Sequence, residues 1–148
     1  MRRGLTLIEI VITIAIIAIL VGTYFLVANP AGQLASARNS RRTTDLETIM
    51  LAIKSNIADQ GNGKFSCASG AIPTSTKNMG SAAGSYNIAP CIVPTYISVM
   101  PSDPGATSSY YNSPSDYNTG YSISINASNT ITLSAPHAEL GKTVTLSQ

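Results

Sequence analysis

A single carboxylate, Glu9, lies inside the longest apolar run of this 148-residue chain. Residues 5–28 contain no other charged side chain, and their hydroxyl groups belong to three threonines and one tyrosine. Moving a carboxylate into a bilayer costs on the order of a few kcal/mol, so an acid in such a run usually has a partner of opposite charge. Glu9 is therefore the first candidate functional residue. The alternative is that it stays hydrated at the edge of an apolar layer.

The other reactive side chains do not form a catalytic pattern. His137 has no nucleophile or acid at a recognisable spacing, and the sequence has no motif of a metalloprotease, a serine hydrolase or a phosphate-binding loop. Asp103 and Asp116 could share a cation in principle, but two carboxylates make a poor calcium site. We therefore expect a protein that is not an enzyme and that uses no metal and no cofactor.

Residues 5–28 also indicate where the chain resides. A helix of these 24 residues would be about 36 Å long, which is enough to cross a hydrocarbon core of roughly 30 Å. Arg2 and Arg3 precede the run, so the positive-inside rule keeps the N-terminus cytoplasmic and sends the remaining residues outward. A cleaved secretory signal fits less well, because its apolar region is normally about 7–15 residues long. An uncleaved signal anchor remains an alternative, but it gives no reason for Glu9.

The N-terminal sequence closely resembles the class III signal of type IV pilins and pseudopilins. That signal is a short basic leader ending in glycine, an apolar residue, T-L-I-E and a long aliphatic helix, and here RRG is followed by LTLIEI. The resemblance implies that a prepilin peptidase cuts after Gly4 and methylates the new amine of Leu5. It also implies that Glu9 pairs with the free N-terminal amine of a neighbouring subunit. Leu5 departs from the phenylalanine most common in the family.

Removal of the leader would make the subunit neutral. The chain has nine basic and seven acidic side chains, and loss of Arg2 and Arg3 leaves seven of each. This balance gives no reason to expect nucleic acid as an obligatory partner.

A second helical segment follows the apolar run after an interruption. The sequence NPAG at residues 29–32 should break or kink the helix, because Pro30 lacks a backbone donor and restricts the residue before it. A similar stretch is often unwound in pilin filaments, so we predict unwinding between Gly22 and Gly32, with a simple kink as the alternative. Apolar residues then recur at steps of three and four up to about residue 59, which predicts an amphipathic helix packed on a sheet. They are Leu46, Ile49, Met50, Ile53 and Ile57.

Three arginines, Arg38, Arg41 and Arg42, fall on one face of this second helix. Asp45 lies four residues beyond Arg41, so one ion pair along the helix is available. The cluster has three interpretations: contact with a neighbouring subunit or with lipid headgroups, plain solvation, and DNA binding. Each of them predicts that the arginines lie at the surface.

Residues 61–148 are expected to form a globular head. Residues 61–85 show no periodicity and are rich in small and polar residues, which predicts a loop. Alternation of apolar and polar residues within 121–126, 130–134 and 143–146 predicts an antiparallel meander with one buried face. The sequence MPSDPG at residues 100–105 predicts a rigid turn in which Asp103 accepts backbone hydrogen bonds, and it is similar to the L-P-x-D-P segment of many pseudopilins.

Two further expectations concern side chains of the head. Cys67 and Cys91 are the only cysteines, and in an exported chain they most simply pair with each other. The tyrosines at 110, 111 and 117 either form an exposed patch for adhesion or cover the sheet with their hydroxyl groups in water.

These predictions combine into one hypothesis about fold and function. The fold class is α+β, with a long N-terminal helix packed on a small antiparallel sheet. Residues 1–4 are a cleaved leader, 5–28 a membrane-spanning and filament-core half-helix, 29–60 an amphipathic half-helix and 61–148 the head. The predicted function is that of a type IV pilus subunit, which resides in the inner or cytoplasmic membrane as a single-pass precursor and then in an extracellular homo-oligomeric filament. The alternatives are a pseudopilin of a type II secretion or DNA-uptake machine and a signal-anchored monomeric binding domain.

Overall fold

The computed structural model describes residues 4–148, apart from the side chains of Leu26 and Ala28. The predicted leader residues Arg2 and Arg3 lie outside the described residues. The elements are α1 (Leu7–Ala28), α2 (Pro30–Gln60), β1 (Lys77–Gly80), α3 (Ala89–Ile92), β2 (Tyr110–Ser113), β3 (Asp116–Ile125), β4 (Ile131–Ala135) and β5 (Val144–Ser147). The chain divides into two compact units, residues 1–35 and 36–148.

The first unit contains α1 and the start of α2, and its apolar helix has no core of its own. Every described side chain of residues 5–25 is exposed. By length and composition, the apolar stretch of this helix is able to cross a membrane. A helix that is apolar on all sides needs an apolar environment around it, either lipid or other protein.

A single residue, Asn29, separates α1 from α2. It adopts the left-handed conformation, with φ 34°, and so ends α1. Its side-chain Oδ1 accepts a hydrogen bond from the backbone N–H of Gly32 at 3.2 Å, which caps the start of α2. Pro30 is the first residue of α2, a position where its missing N–H is not needed. The chain is therefore interrupted within the predicted NPAG segment, whereas Gly22 lies inside α1.

The second unit is formed by α2 from residue 36 onward and a five-stranded antiparallel sheet. β3 pairs with β1 along one edge and with β2 and β4 along the other, and β5 pairs with β4. Ile123 lies opposite Leu133, and Leu133 lies opposite Leu146, so apolar side chains form a ladder across three strands. The predicted α+β class and the β3–β4–β5 meander are confirmed.

The apolar stripe of α2 packs against this ladder, as predicted. Leu46, Ile49, Met50 and Ile53 are buried, and Ile57 packs against the same core. The stripe ends because α2 ends at Gln60, where Gly61 has a φ of 65° that favours glycine.

The prediction that residues 61–85 form only loop was wrong at β1. The sequence KNMG has neither β-branched residues nor a clear alternation, so its strand conformation comes from pairing with β3. β2 was not predicted either: its two tyrosines favour strands, but the segment is only four residues long and follows a Ser-rich stretch.

The proposal of a three-tyrosine surface patch was also wrong. Tyr117 is completely buried; its hydroxyl donates to Asn87 Oδ1 at 3.0 Å and accepts from the backbone N–H of Ala89 at 3.0 Å. Tyr111 packs its ring 6.1 Å from that of Tyr117, and Tyr110 is exposed. Burial of the Tyr117 hydroxyl also differs from the expectation that the tyrosine hydroxyls stay in water.

Candidate functional site

The predicted cleavage site lies in a short exposed segment ahead of α1. Gly4, Leu5 and Thr6 precede the helix, and all three are exposed. Thr6 has an extended conformation, with φ −82° and ψ 151°, and caps α1 through its side chain. The Gly4–Leu5 peptide bond thus lies outside the helix, in a segment that is exposed to solvent.

Glu9 lies in the first turn of α1 with its carboxylate exposed. Its backbone N–H donates to Thr6 Oγ1 at 3.3 Å, and its carbonyl accepts from Thr13 Oγ1 at 2.8 Å. The N-terminal end of the helix dipole favours a negative charge at this position. Within residues 4–148, no basic side chain forms an ion pair with Glu9.

A second group of charged side chains lies where α2 packs against the head, and the sequence did not predict it. Arg42 is completely buried, and its guanidinium makes two hydrogen bonds to Asp103, from Nε to Oδ2 at 3.0 Å and from Nη2 to Oδ1 at 2.8 Å. A third bond reaches Asn39 Oδ1 at 2.7 Å, and a fourth reaches Glu139 Oε2 at 3.0 Å. The prediction that this arginine lies at the surface was therefore wrong. A buried guanidinium is tolerated here because two carboxylates neutralise it.

The predicted turn at residues 100–105 supplies one of those carboxylates. As predicted, Asp103 accepts a backbone hydrogen bond, from the N–H of Gly105 at 2.7 Å. Any side chain at Gly105 would collide with the Arg42 guanidinium, so glycine is required for the approach. Burial raises the pKa of Asp103, but the hydrogen bonds from Arg42 and Gly105 outweigh it, and the pKa lies below its ordinary value.

Glu139, in the connection between β4 and β5, supplies the second carboxylate. It accepts two hydrogen bonds from Arg38, at 2.7 and 2.6 Å, in addition to the one from Arg42. Asn39 binds its backbone, donating to the carbonyl at 2.8 Å and accepting from the N–H at 2.9 Å. Hydrogen bonds from Arg38 and then Arg42 lower the pKa of Glu139 to about 2. We call Arg38, Asn39, Arg42, Asp103 and Glu139 the head clamp, because they join α2 to two separate loops.

Asp45 lies about one helical turn beyond Arg41 on α2. The predicted pair is present at 4.0 Å, but Arg41 is largely exposed whereas Asp45 is nearly buried. Tyr121 donates its hydroxyl to Asp45 Oδ2 at 2.7 Å. Burial raises the pKa of Asp45, and the hydrogen bond from Tyr121 and the charge of Arg41 oppose that rise only in part.

The predicted cysteine pair is present. Cys67 and Cys91 form a disulfide, with the two Cα atoms 5.2 Å apart. It fixes the loop after α2 to the α3 segment. Asn56 of α2 binds both of the segments that the disulfide joins, donating to the carbonyls of Ser66 and Cys91 at 3.2 and 3.3 Å.

No metal centre is present in the part of the chain that the structure describes, since residues 4–148 contain no group of three or more potential metal ligands. Both oxygens of Asp103 are bound to Arg42, and Asp116 accepts hydrogen bonds from Tyr110 at 3.0 Å and Asn112 at 2.9 Å. The two aspartates are thus used in separate hydrogen-bond networks.

Comparison with known proteins identifies the N-terminal segment. Residues 1–25 match the family model described as the prokaryotic N-terminal methylation motif, which is the class III signal of type IV pilins and pseudopilins. Neither the curated proteins nor the solved structures compared with the chain give a significant match. The motif indicates a type IV pilin-like or pseudopilin protein. It points to a structural protein and implies processing by a prepilin peptidase in the context of pilus assembly.

Proposed function

We propose that this protein is the structural subunit of a type IV pilus, a helical surface filament whose centre is formed by α1 helices packed together. The observation that carries the proposal is the exposure of α1: a helix bearing the methylation motif presents apolar side chains on every side. In the precursor, lipid surrounds this helix, and in the filament the same helix of neighbouring copies replaces the lipid.

Glu9 then has a specific role in assembly. Cleavage after Gly4 exposes an amine at Leu5, and methylation of an amine keeps its positive charge. Lipid and a helix bundle are similarly apolar, so transfer between them supplies little net driving force. The pairing of Glu9 with the amine of a neighbouring subunit supplies the register and the direction of assembly.

Residues 36–148 also suit a subunit of a surface filament. An anchored precursor holds residues 36–148 outside the membrane, where the disulfide persists. The clamp and the disulfide fix the loops of a head that remains at the filament surface. The partners are other copies of the chain, the membrane and the prepilin peptidase with its assembly machinery.

The test compares two variants that lose one negative charge each. Glu9→Gln is expected to be cleaved normally but to yield few or no filaments when sheared cell-surface material is examined by electron microscopy. Glu47→Gln, which makes the same change at an exposed position of α2, is expected to assemble like the parent chain. Equal filament yields from Glu9→Gln and the parent would contradict the role given to Glu9.

Filament length distinguishes a pilus subunit from a pseudopilin of a type II secretion or DNA-uptake machine. Long surface fibres composed of this chain support the pilus subunit. Short structures confined to the cell envelope support a pseudopilin.

A further inference from the structure

We propose that residues 36–148 bind small amphiphilic carboxylates, that is, molecules with an aliphatic chain and one terminal carboxylate. The site is a pocket at the C-terminal end of α2, which we call the end pocket. It lies between the segment of residues 62–74 and the turn that joins β3 to β4. Its residues take no part in the packing of α1 helices, so this binding activity is separate from the proposed function.

The end pocket is large enough for a small molecule, and most of its lining is apolar. Its volume is about 680 Å³, within the range of pockets that bind small ligands. Phe65 and four isoleucines line it, namely Ile57, Ile72, Ile125 and Ile131. Ile57, Phe65 and Ile125 are only partly buried, so apolar surface remains for a ligand to cover. Removal of this surface from water favours the binding of an aliphatic chain.

Both walls of the end pocket are held in place by contacts within the chain. Asn56 of α2 binds both backbone groups of Ser66, donating to its carbonyl at 3.2 Å and accepting from its N–H at 2.9 Å. The disulfide of Cys67 fixes the next residue to α3. The N–H of Ile125 donates to the carbonyl of Pro73 at 2.9 Å and so joins the two walls. Because the walls are already fixed, a ligand does not have to order two loops when it binds.

Two asparagines of the end pocket offer only hydrogen-bond donors to a ligand. Asn126 Oδ1 accepts from the N–H groups of Ser128 and Thr130, both at 2.9 Å. Asn62 Oδ1 accepts from the N–H of Lys64, also at 2.9 Å. The side-chain oxygens are thus used within the chain, whereas neither Nδ2 has a partner among residues 4–148. An amide Nδ2 group donates and does not accept.

Lys64 adds a positive charge to these donors. Within residues 4–148 it is the only charged side chain that lines the end pocket, and it is exposed and forms no ion pair. Asp59, the nearest acid along the chain, is hydrogen-bonded to Tyr96 instead. A cation and two amide donors beside apolar surface suit a ligand whose polar end is a negatively charged acceptor. A carboxylate at the end of an aliphatic chain meets both requirements.

The lining of the end pocket disfavours ligands with other polar groups. A cationic amphiphile would place a second positive charge near Lys64, and no lining side chain is acidic in the part of the chain that the structure describes. A neutral alcohol of the same length would keep the apolar contacts but lose the attraction of Lys64. The expected order of affinity is therefore carboxylate, alcohol, ammonium.

NMR of isoleucine methyl groups tests the site in the full chain reconstituted in lipid nanodiscs. Octanoate is expected to shift the signals of the four isoleucines that line the end pocket. It should not shift those of Ile49 and Ile88, which are buried but do not line the pocket. Because each signal belongs to one residue, the measurement separates binding in the pocket from partition of octanoate into lipid. Octanoate that leaves the four signals unchanged, or octylammonium that shifts them with equal affinity, would overturn the proposal.

Two lysine variants test the polar part of the recognition. Lys64→Gln should weaken octanoate binding about two- to fivefold, as expected for an exposed ion pair, and should leave the binding of octan-1-ol unchanged. The matched control is Lys142→Gln, which removes an exposed lysine from the β4–β5 connection, outside the pocket lining, and should bind octanoate like the parent. Equal octanoate affinities of the two variants would overturn the role of Lys64 and with it the proposal.

A chain-length series tests the apolar part. From butanoate to octanoate, the affinity measured from the same isoleucine signals should rise about two- to fourfold with each methylene group, because each one covers more of the apolar lining. An affinity that does not depend on chain length would show that the aliphatic chain is not bound, and it would also overturn the proposal.

Discussion

Replacement of Arg42 by methionine is expected to destabilise the head severely. Methionine retains much of the side-chain volume but removes four hydrogen bonds and the positive charge. Asp103, only 3% exposed, would be left without its counter-ion. Breaking a buried pair in this way costs about 3–5 kcal/mol. Because domains are stable by only about 5–15 kcal/mol, this loss is a large part of the total.

The assay is urea denaturation of the full chain in detergent micelles, followed by the near-ultraviolet circular dichroism of the tyrosines. Six of the seven tyrosines lie beyond residue 85, so this signal reports mainly on the head. With a urea dependence of about 2 kcal/mol per molar, the midpoint should fall by roughly 2 M.

Two further variants identify the cause of that fall. Arg41→Met removes an arginine that is 69% exposed and 4.0 Å from its nearest carboxylate, and it should cost less than about 1 kcal/mol. Arg42→Met combined with Asp103→Leu should recover much of the loss, because no buried charge is then left alone. An Arg42→Met midpoint no lower than that of Arg41→Met would show that the buried Arg42–Asp103 pair does not stabilise the head.

Two other perturbations have defined outcomes. Replacing Cys67 and Cys91 together by serine should lower the free energy of unfolding by about 3 kcal/mol, because the disulfide closes a loop with a sequence separation of 24; a urea midpoint unchanged from that of the oxidised parent would contradict this. Acid should destabilise the head through Glu139: its pKa is about 2 in the folded chain and near 4.5 ordinarily, so its contribution is complete above pH 4.5 and is lost as the pH falls through 2. Asp45, whose pKa is raised, acts in the opposite direction, so the test compares the parent chain with Glu139→Gln. The melting temperature of Glu139→Gln should fall less between pH 5 and pH 2 than that of the parent. Parallel curves of melting temperature against pH for the two proteins would contradict this.

The sequence predicted the elements whose signal is local and periodic. The steps of three and four from Leu46 to Ile57 placed α2 on a sheet, and alternation around Ile123, Leu133 and Leu146 placed the three strands of the meander. Each of these patterns follows directly from the geometry of a helix or a strand. The interruption between α1 and α2 was also predicted, because proline acts on the residue next to it.

The head clamp was not predictable, because its members are distant in sequence. Arg42 and Asp103 are 61 residues apart, and Arg42 and Glu139 are 97 residues apart. Arg41 and Arg42 follow Arg38 by three and four residues, so both share its face of the helix, and nothing local distinguishes the buried arginine from the exposed one. The glycine after the Asp-Pro pair was the only available signal, since it marks a place where another group approaches the backbone closely.

The N-terminus of the mature subunit tests the central hypothesis most directly. Mass spectrometry of the chain from purified filaments is expected to show that the four leader residues are absent and that the first residue is Leu5 carrying one methyl group on its amine. A filament subunit that still begins at Met1, or that begins at another residue without a methylated amine, would contradict the hypothesis of cleavage after Gly4 and methylation at Leu5.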